Sequence, residues 1–357
     1  VFDKKTIKDV KFNGQTVLVR SDYNVPISDG QIQSDLRIQA SLPTLKYLIS
    51  HGAKKIIIIS HLGRPDSCKN KTLSLRPVAD QLAKLLPNQT VEFIDDVSGP
   101  DVEAAVHKLP KGGILLLENL RFYSGEESNS ADFAREIIES THAKLFVQDG
   151  FAVLHRAHAS TSALAYEIPA VAGLLVEKEV NALLSATHRP KSPVLLLIGG
   201  AKVSDKQPLI DHFIDKVDQI VVGGKIAADG FSSNHPKIYI AEDFSTDSTG
   251  AKLDIGPKST AKILELITSA RTVIWNGTMG LTEQPEFAKA STAIATAIGQ
   301  HQNLTSLICG GDTTGFVEKL QKNQPNLHFS LVSTGGGASL ELLLGQNLPG
   351  LEALEDR

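Results

Sequence analysis

The sequence predicts an α/β protein built from two doubly wound parallel-sheet lobes joined by a helix. Three observations carry that expectation. Short, continuously apolar runs such as Ile56-Ile57-Ile58-Ile59 and Val194-Leu195-Leu196-Leu197-Ile198 alternate with longer amphipathic stretches. Strands that are apolar without alternation are covered on both faces, which is the condition of a parallel sheet. The alternation restarts after residue 190, and 357 residues are too many for one ordinary core but suit two.

In the first half, residues 16–20, 55–60, 91–94, 114–117 and 144–147 read as strands. Residues 37–50, 76–86 and 131–140 read as helices, with Leu42, Leu45 and Leu48 on one apolar face. In the second half, strands are expected over 194–198, 219–222, 237–240, 273–275, 306–308 and 328–332. A charged helical stretch over 177–187, closed by Arg189-Pro190, lies between them. The expected division is a first lobe over 1–173 with a tail over 345–357, an inter-lobe helix over 174–189, and a second lobe over 190–344. No residue-level repeat relates the halves.

Composition excludes several classes of function. Hydrophobic residues make up 41% and charged residues 21%, which is globular rather than disordered. A net charge of −4 and an aromatic content of 5% argue against a nucleic-acid partner. The longest apolar runs are too short to span a bilayer, and the N-terminal Phe2-Asp3-Lys4-Lys5 has no apolar leader core, so no membrane partner is expected. Cys68 and Cys309 form no metal-type pair, and such sparse cysteine usage suits a reducing, cytoplasmic setting. Any anion site must therefore be local.

Ligands of open α/β sheets bind beyond the carboxyl ends of the strands. In the first half those ends run into Asp22-Tyr23-Asn24-Val25-Pro26, His61-Leu62-Gly63-Arg64-Pro65, Glu118-Asn119-Leu120-Arg121-Phe122 and, beyond Asp149, His155-Arg156-Ala157-His158. Arg37 opens the first helix. Guanidinium groups suit bidentate recognition of phosphate and carboxylate. Asp22 and Asn24 suit hydroxyl groups. The matching ligand is small, hydroxylated and multiply anionic. The competing reading of each Arg is a surface ion pair.

In the second half four strands run into glycine turns: Gly199-Gly200-Ala201-Lys202, Gly223-Gly224-Lys225, Gly310-Gly311-Asp312-Thr313 and Gly335-Gly336-Gly337-Ala338-Ser339. Glycine lets backbone approach a phosphate, and free N–H groups at a helix start attract anions. None of the four is a P-loop or a dinucleotide fingerprint. Lys202 and Lys206, four apart with Pro208 in the first turn, suit neutralising a transferring phosphoryl group, or are solvated surface lysines. Asp312 could hold Mg²⁺ or simply cap a helix. Glu283 could accept ribose hydroxyls. An anionic-metabolite site on one lobe and a nucleotide site on the other call for domain closure around the reactants.

These segments, together with Trp275-Asn276-Gly277 and Ser333-Thr334-Gly335-Gly336-Gly337-Ala338-Ser339-Leu340-Glu341, closely resemble the phosphoglycerate kinase family over nearly the whole chain. The resemblance implies reversible, Mg²⁺-dependent transfer between 1,3-bisphosphoglycerate with ADP and 3-phosphoglycerate with ATP, by a monomeric cytoplasmic enzyme. It implies that Asp22, Asn24, Arg37, His61, Arg64, Arg121 and Arg156 bind phosphoglycerate, with Arg37 facing the transferring group. It implies catalytic roles for Lys202 and Lys206. Gly200, Ala201, Lys206, Glu283, Gly310, Gly311, Asp312 and Thr313 would hold the nucleotide, with Glu283 at the ribose and Asp312 at the metal. The tail over 349–357 would return to the first lobe.

The sequence departs from the family's pattern in places. Ser21, Tyr23, Gln148 and Gly150 replace the usual residues of the first lobe without removing a charge. In the second lobe Lys225, Thr278 and Cys309 are atypical. The stretch over 225–236 is too short for the family's helical crossover, and the stretch over 244–253 looks trimmed. The expectation is retained phosphate chemistry with altered base recognition. The competing expectation is a non-catalytic homologue that binds or scaffolds.

Overall fold

Two six-stranded sheets, each with every strand parallel to its neighbours, organise the chain. They are seen in a computed structural model that describes residues 2–65 and 67–357. The first sheet uses β1 (Thr16–Arg20), β2 (Lys55–Ile59), β3 (Val91–Phe93), β4 (Gly113–Leu116), β5 (Leu145–Gln148) and β6 (Ala170–Ala172), in the order β3-β4-β2-β1-β5-β6. The second uses β7 (Val194–Ile198), β8 (Gln219–Val222), β9 (Ile238–Ile240), β10 (Thr272–Asn276), β11 (Thr305–Cys309) and β12 (Leu331–Val332), in the order β9-β8-β7-β10-β11-β12. The chain winds outward from β1 and β7, then returns to the other side. The resulting switch points lie between β1 and β5 and between β7 and β10, where ligands of open α/β sheets gather.

Burial follows the apolar runs. All five residues of β1, β7 and β10 are buried, as are four of β2, Ile56 to Ile59. Trp275 is among the largest fully buried side chains, and its indole N–H donates to the Gly277 carbonyl at 2.7 Å, so its one polar atom is paired.

The structure differs from the expected elements where local signal is weak. β6 is an Ala-Val-Ala segment without bulky β-formers, and it was not anticipated. The strand expected over 328–332 shrinks to Leu331–Val332. Pro208 is not in the first turn of its helix. The helix already begins at Val203 and runs to Phe213, which puts Pro208 inside it. The crossover from β8 to β9 contains one short helix, Gly224–Ala228, before the chain extends to Ile238. The charged helix over 177–187 is the inner part of Leu174–His188.

The described chain divides into two compact units, residues 2–178 with 347–357, and residues 179–346. In the first, residues 347–357 return beside the start of the chain. Lys4 and Asp356 form a bridge, Lys5 N–H donates to the Glu355 carbonyl at 2.7 Å, and the Lys4 ammonium meets the Asp356 carboxylate at 2.7 Å.

One buried carboxyl generates a pH dependence. Asp149, at the carboxyl end of β5, accepts from Leu175 N–H at 3.0 Å through Oδ1, while Oδ2 has no hydrogen-bond partner. It packs so closely on Gly173 that a Cβ there would lie 2.1 Å from Oδ1. Burial pushes the Asp149 carboxyl up to about 7, against hydrogen bonds from Thr44, Leu175 and Val176. An unfolded Asp loses its proton near pH ~4. Between those values the native state binds more protons, so the stability contributed by protonated Asp149 is complete at low pH and lost as pH rises through about 7. Urea unfolding of Asp149→Asn and the parent should show the variant gaining on the parent by about 2–4 kcal/mol between about pH 4 and about pH 8. A difference independent of pH would contradict this.

Candidate active site

Parallel strands put every carboxyl end of a sheet on one edge, so the loops after β1, β2, β4 and β5 converge. Backbone bonds stitch them together: Ser21 N–H to Ile59 O at 3.1 Å, Leu120 N–H to Ser60 O at 3.1 Å, and Asp149 N–H to Arg20 O at 2.8 Å. At their centre lies Arg20, the last residue of β1 and 1% exposed. Its Nε donates to Ser160 Oγ at 2.7 Å, and one terminal nitrogen lies 3.1 Å from His61 Nδ1. It donates also to the Ser21 carbonyl. A guanidinium only donates, so His61 Nδ1 is an acceptor and the ring proton sits on Nε2. Burial holds His61 well below the usual histidine range, helped by the charges of Arg20, Arg121, Arg37 and Arg156. A neutral, hydrogen-bonding imidazole thus stands among four cations.

Carboxylates organise this cluster. Arg37 donates to Asp22 Oδ2 at 2.6 Å and to the Asn24 carbonyl at 3.2 Å. Asp22 Oδ1 accepts Asn24 N–H at 3.1 Å, and Asn24 Oδ1 accepts Gly63 N–H at 2.9 Å, which fixes the β2 loop to the β1 loop. Glu126 is fully buried and accepts from Ser160 N–H at 3.0 Å and Ser160 Oγ at 2.6 Å. Burial raises its carboxyl above the usual range, while Arg20 and Ser160 oppose the rise. Asn119 joins loops by accepting Leu62 N–H at 3.2 Å and donating to Leu62 O at 2.7 Å. Arg121 is 4% exposed and donates to the Gly63 carbonyl at 2.7 Å. Its Nε lies 3.3 Å from Glu127 but makes no hydrogen bond with it. A buried charged N–H without a hydrogen bond is an uncommon cost that a bound anion would remove.

In the second unit the edge is built from backbone contact. The ends of β7 and β10 approach so closely that a Cβ on Gly277 would sit 2.1 Å from Gly199 O, and one on Gly199 would sit 2.5 Å from Gly277 O. Gly277 also has φ +103, a region open to glycine. Gly200 N–H donates to Thr278 O at 2.9 Å, and Gly277 N–H to Thr313 Oγ1 at 2.8 Å. Lys206 reaches across to Asn276 Oδ1. Burial lowers the Lys206 ammonium, and the charges of Asp205 and Asp312 oppose this. At Gly311 and Gly336 a Cβ would meet nothing within 4 Å, so both turns leave open space above helix starts.

The structure therefore gathers Asp22, Asn24, Arg37, His61, Arg121 and Arg156 on one edge. On the other it gathers Gly200, Lys206, Gly310, Asp312 and Thr313. Arg64 is exposed in the His61 loop, Ala201 and Lys202 are exposed just before their helix, and Glu283 is exposed in the turn after β10. No side-chain bond ties these four to the clusters among the described residues. Arg20, Glu126, Asn119 and Asn276 were not anticipated as site residues. The one available signal was Arg20, a charge closing an otherwise apolar strand.

Asp312 is exposed in the first turn of Gly311–Asn323 and has no ion pair among the described residues. A single carboxylate suits Mg²⁺, which takes one or two carboxylates and completes its shell with phosphate oxygens and water.

Comparison with known proteins gives a consistent result. The sequence model of the family described as phosphoglycerate kinase matches residues 7–238 and 227–346, in two parts that meet in the short crossover. The phosphoglycerate kinase of Roseiflexus sp. (strain RS-1) is 39% identical, with 99% of each chain covered. Their alignment runs over 399 positions against 357 residues here. The structure of phosphoglycerate kinase from Coxiella burnetii is similar at TM-score 0.79 and 31% identity, and that from Pyrococcus horikoshii OT3 at TM-score 0.86 and 29% identity. Each covers 98% of both chains.

The glycine contact is open to a direct test. Gly277→Ala forces a Cβ onto the Gly199 carbonyl in a strained backbone region, and should cost about 2–4 kcal/mol. Gly315→Ala, inside the helix Gly311–Asn323 with nothing within 4 Å of its Cβ, is the contrasting control and should leave the urea midpoint unchanged or slightly raised. Equal effects would contradict the contact.

Proposed function

Because this chain belongs to the phosphoglycerate kinase family, we propose that its two sheet edges divide the reaction, phosphoglycerate on the arginine edge and nucleotide on the glycine edge. The activity is that of the family: reversible transfer of a phosphoryl group between 1,3-bisphosphoglycerate with ADP and 3-phosphoglycerate with ATP, a glycolytic kinase step with a carboxyl acceptor. The observation that carries the division is four arginines around neutral His61, with a buried Arg121 N–H left without a hydrogen bond.

In the direction of ATP use, an acceptor carboxylate oxygen forms a bond to the γ-phosphorus while the bond to the ADP oxygen breaks. Negative charge spreads over the peripheral phosphoryl oxygens, so placement and charge neutralisation supply the catalysis. Arg121, Arg156 and Arg64 bind the far end of the acceptor. His61 Nε2–H, Asp22 and Asn24 address its hydroxyl. Arg37, pinned by Asp22, faces the transferring group. Lys206, aimed by Asn276, and Lys202 offset charge on the phosphates. The glycine turns Gly200-Ala201 and Gly310-Gly311 offer backbone N–H groups, Thr313 holds the second turn against Gly277, and Glu283 takes the ribose. Mg²⁺, which the family uses with its nucleotide, would be held by Asp312 and would neutralise phosphate charge.

The short Gly224–Ala228 crossover, and the split of the family match at residues 227–238, support altered recognition of the base. The same chemistry suits a monomer working in the cytoplasm. No helix is long and apolar enough to cross a membrane among the described residues.

A coupled assay with ATP and 3-phosphoglycerate should show turnover, and its absence would favour a binding or scaffolding homologue. Arg37→Ala should lower kcat by at least about 100-fold, whereas near-full activity would overturn its role. Calorimetric titration should give ADP and GDP affinities within about tenfold of each other. An ordinary, strong adenine preference would overturn the reading of the crossover.

A further inference from the structure

A second cluster of ligating side chains lies in the first unit on residues that the kinase site does not use. Glu103 and His107 stand one turn apart on the helix Pro100–Lys108, and His142 follows the helix Ala131–Thr141. The Glu103 carboxylate lies 3.0 Å from His142 Nε2 and 3.8 Å from His107 Nε2, and one ligand atom from each residue falls within 4.8 Å of the others. The two imidazole rings are 5.2 Å apart between centroids. We propose that Glu103, His107 and His142 form a binding site for a divalent transition metal ion of the zinc type.

The donor set decides the class of ion. Two imidazole nitrogens and one carboxylate suit Zn²⁺, Ni²⁺ or Cu²⁺, whereas Mg²⁺ and Ca²⁺ take oxygen ligands. Zinc sits about 2.0–2.2 Å from such atoms, so the three side chains reach a common centre by small rotations. All three are exposed, and a groove of ≈ 610 Å³ lined by Gly99, Pro100, Glu103, Ser140, His142 and Lys144 opens beside them. Water can therefore complete the shell, as in zinc sites with three protein ligands.

The platform is rigid. Val102 and Val106 bury a neighbouring face of the first helix, and Phe133, Ala134 and Ile137 bury the second. Gly99 N–H donates to Ser140 Oγ at 2.8 Å, joining the start of one helix to the end of the other. His142 has φ +52, the left-handed position that commonly ends a helix and is usually given to glycine. A ligand side chain occupies it here. Bound metal would clip the two helices together.

A plain surface network is the competing reading, and His107 separates the two. Glu103 and His142 already share a hydrogen bond without it, whereas His107 is too far for one. Calorimetric titration of the full chain, free of any affinity tag and stripped with EDTA, would use ZnCl₂ with MgCl₂ as control. One zinc per chain should bind, with Kd on the order of 1 μM or tighter, and no heat should follow magnesium at this site. His107→Ala and His142→Ala should each weaken zinc binding by at least about tenfold with the kinase rate unchanged. Co²⁺ should give visible absorption bands in the parent that both variants lose. Absence of zinc binding at about 100 μM, or equal binding by the His107→Ala/His142→Ala double variant, would overturn the site.

Discussion

Everything that can be read as function here depends on strands that all point the same way. A parallel sheet sends each strand's carboxyl end to one edge, and the loops that follow have nowhere else to meet. In the first unit this brings residues near positions 22, 61, 121 and 156 together from separate loops, with no contribution from local sequence proximity. In the second it presses the ends of β7 and β10 into backbone contact, which only glycine at 199 and 277 permits. Antiparallel strands would have sent alternate loops to opposite edges and dispersed both sets.

Charge buried at such an edge must be held by partners rather than by water. Arg20 meets that need by touching two hydroxyl groups, a carbonyl and a neutral imidazole, with Glu126 held close behind Ser160. It does not consume the carboxylates that position Arg37 and Arg121. Burial, helped by four guanidinium groups, keeps His61 neutral, and a neutral imidazole can donate a hydrogen bond without adding to the cationic repulsion. These side chains are held in fixed directions by their partners, which would leave little reorganisation for the transfer proposed above.

The outer features of this site were legible in the sequence because charged residues follow apolar runs directly, as with His61 after Ile56 to Ile59 and Arg121 after Ile114 to Leu117. The inner features were not. Glu126 stands next to Glu127 in what reads as a solvated acidic pair, yet one is fully buried and the other is not. The link from Lys206 to Asn276 joins residues 70 apart and leaves no periodic trace. Of the four edge strands, Val91–Phe93 and Ile238–Ile240 were legible, whereas Ala170–Ala172 was missed and Leu331–Val332 was overextended, having too few residues to carry a pattern. Propensity located central strands well because burial on both faces demands apolar residues throughout. It located β6 and β12 poorly because the sheet, not the segment, determines where pairing stops.

The first unit is discontinuous: residues 179–346 are inserted before residues 347–357 complete it. During synthesis the ribosome must therefore finish one entire sheet before the last segment of the other exists. The β-strands of the first unit can pair early, but Lys4 and Lys5 wait for Asp356 and Glu355, some 350 residues further along the chain. Vectorial synthesis thus makes the second unit the one free to fold autonomously as it emerges. Completion of the first waits for residues 347–357, which follow the whole of the second unit.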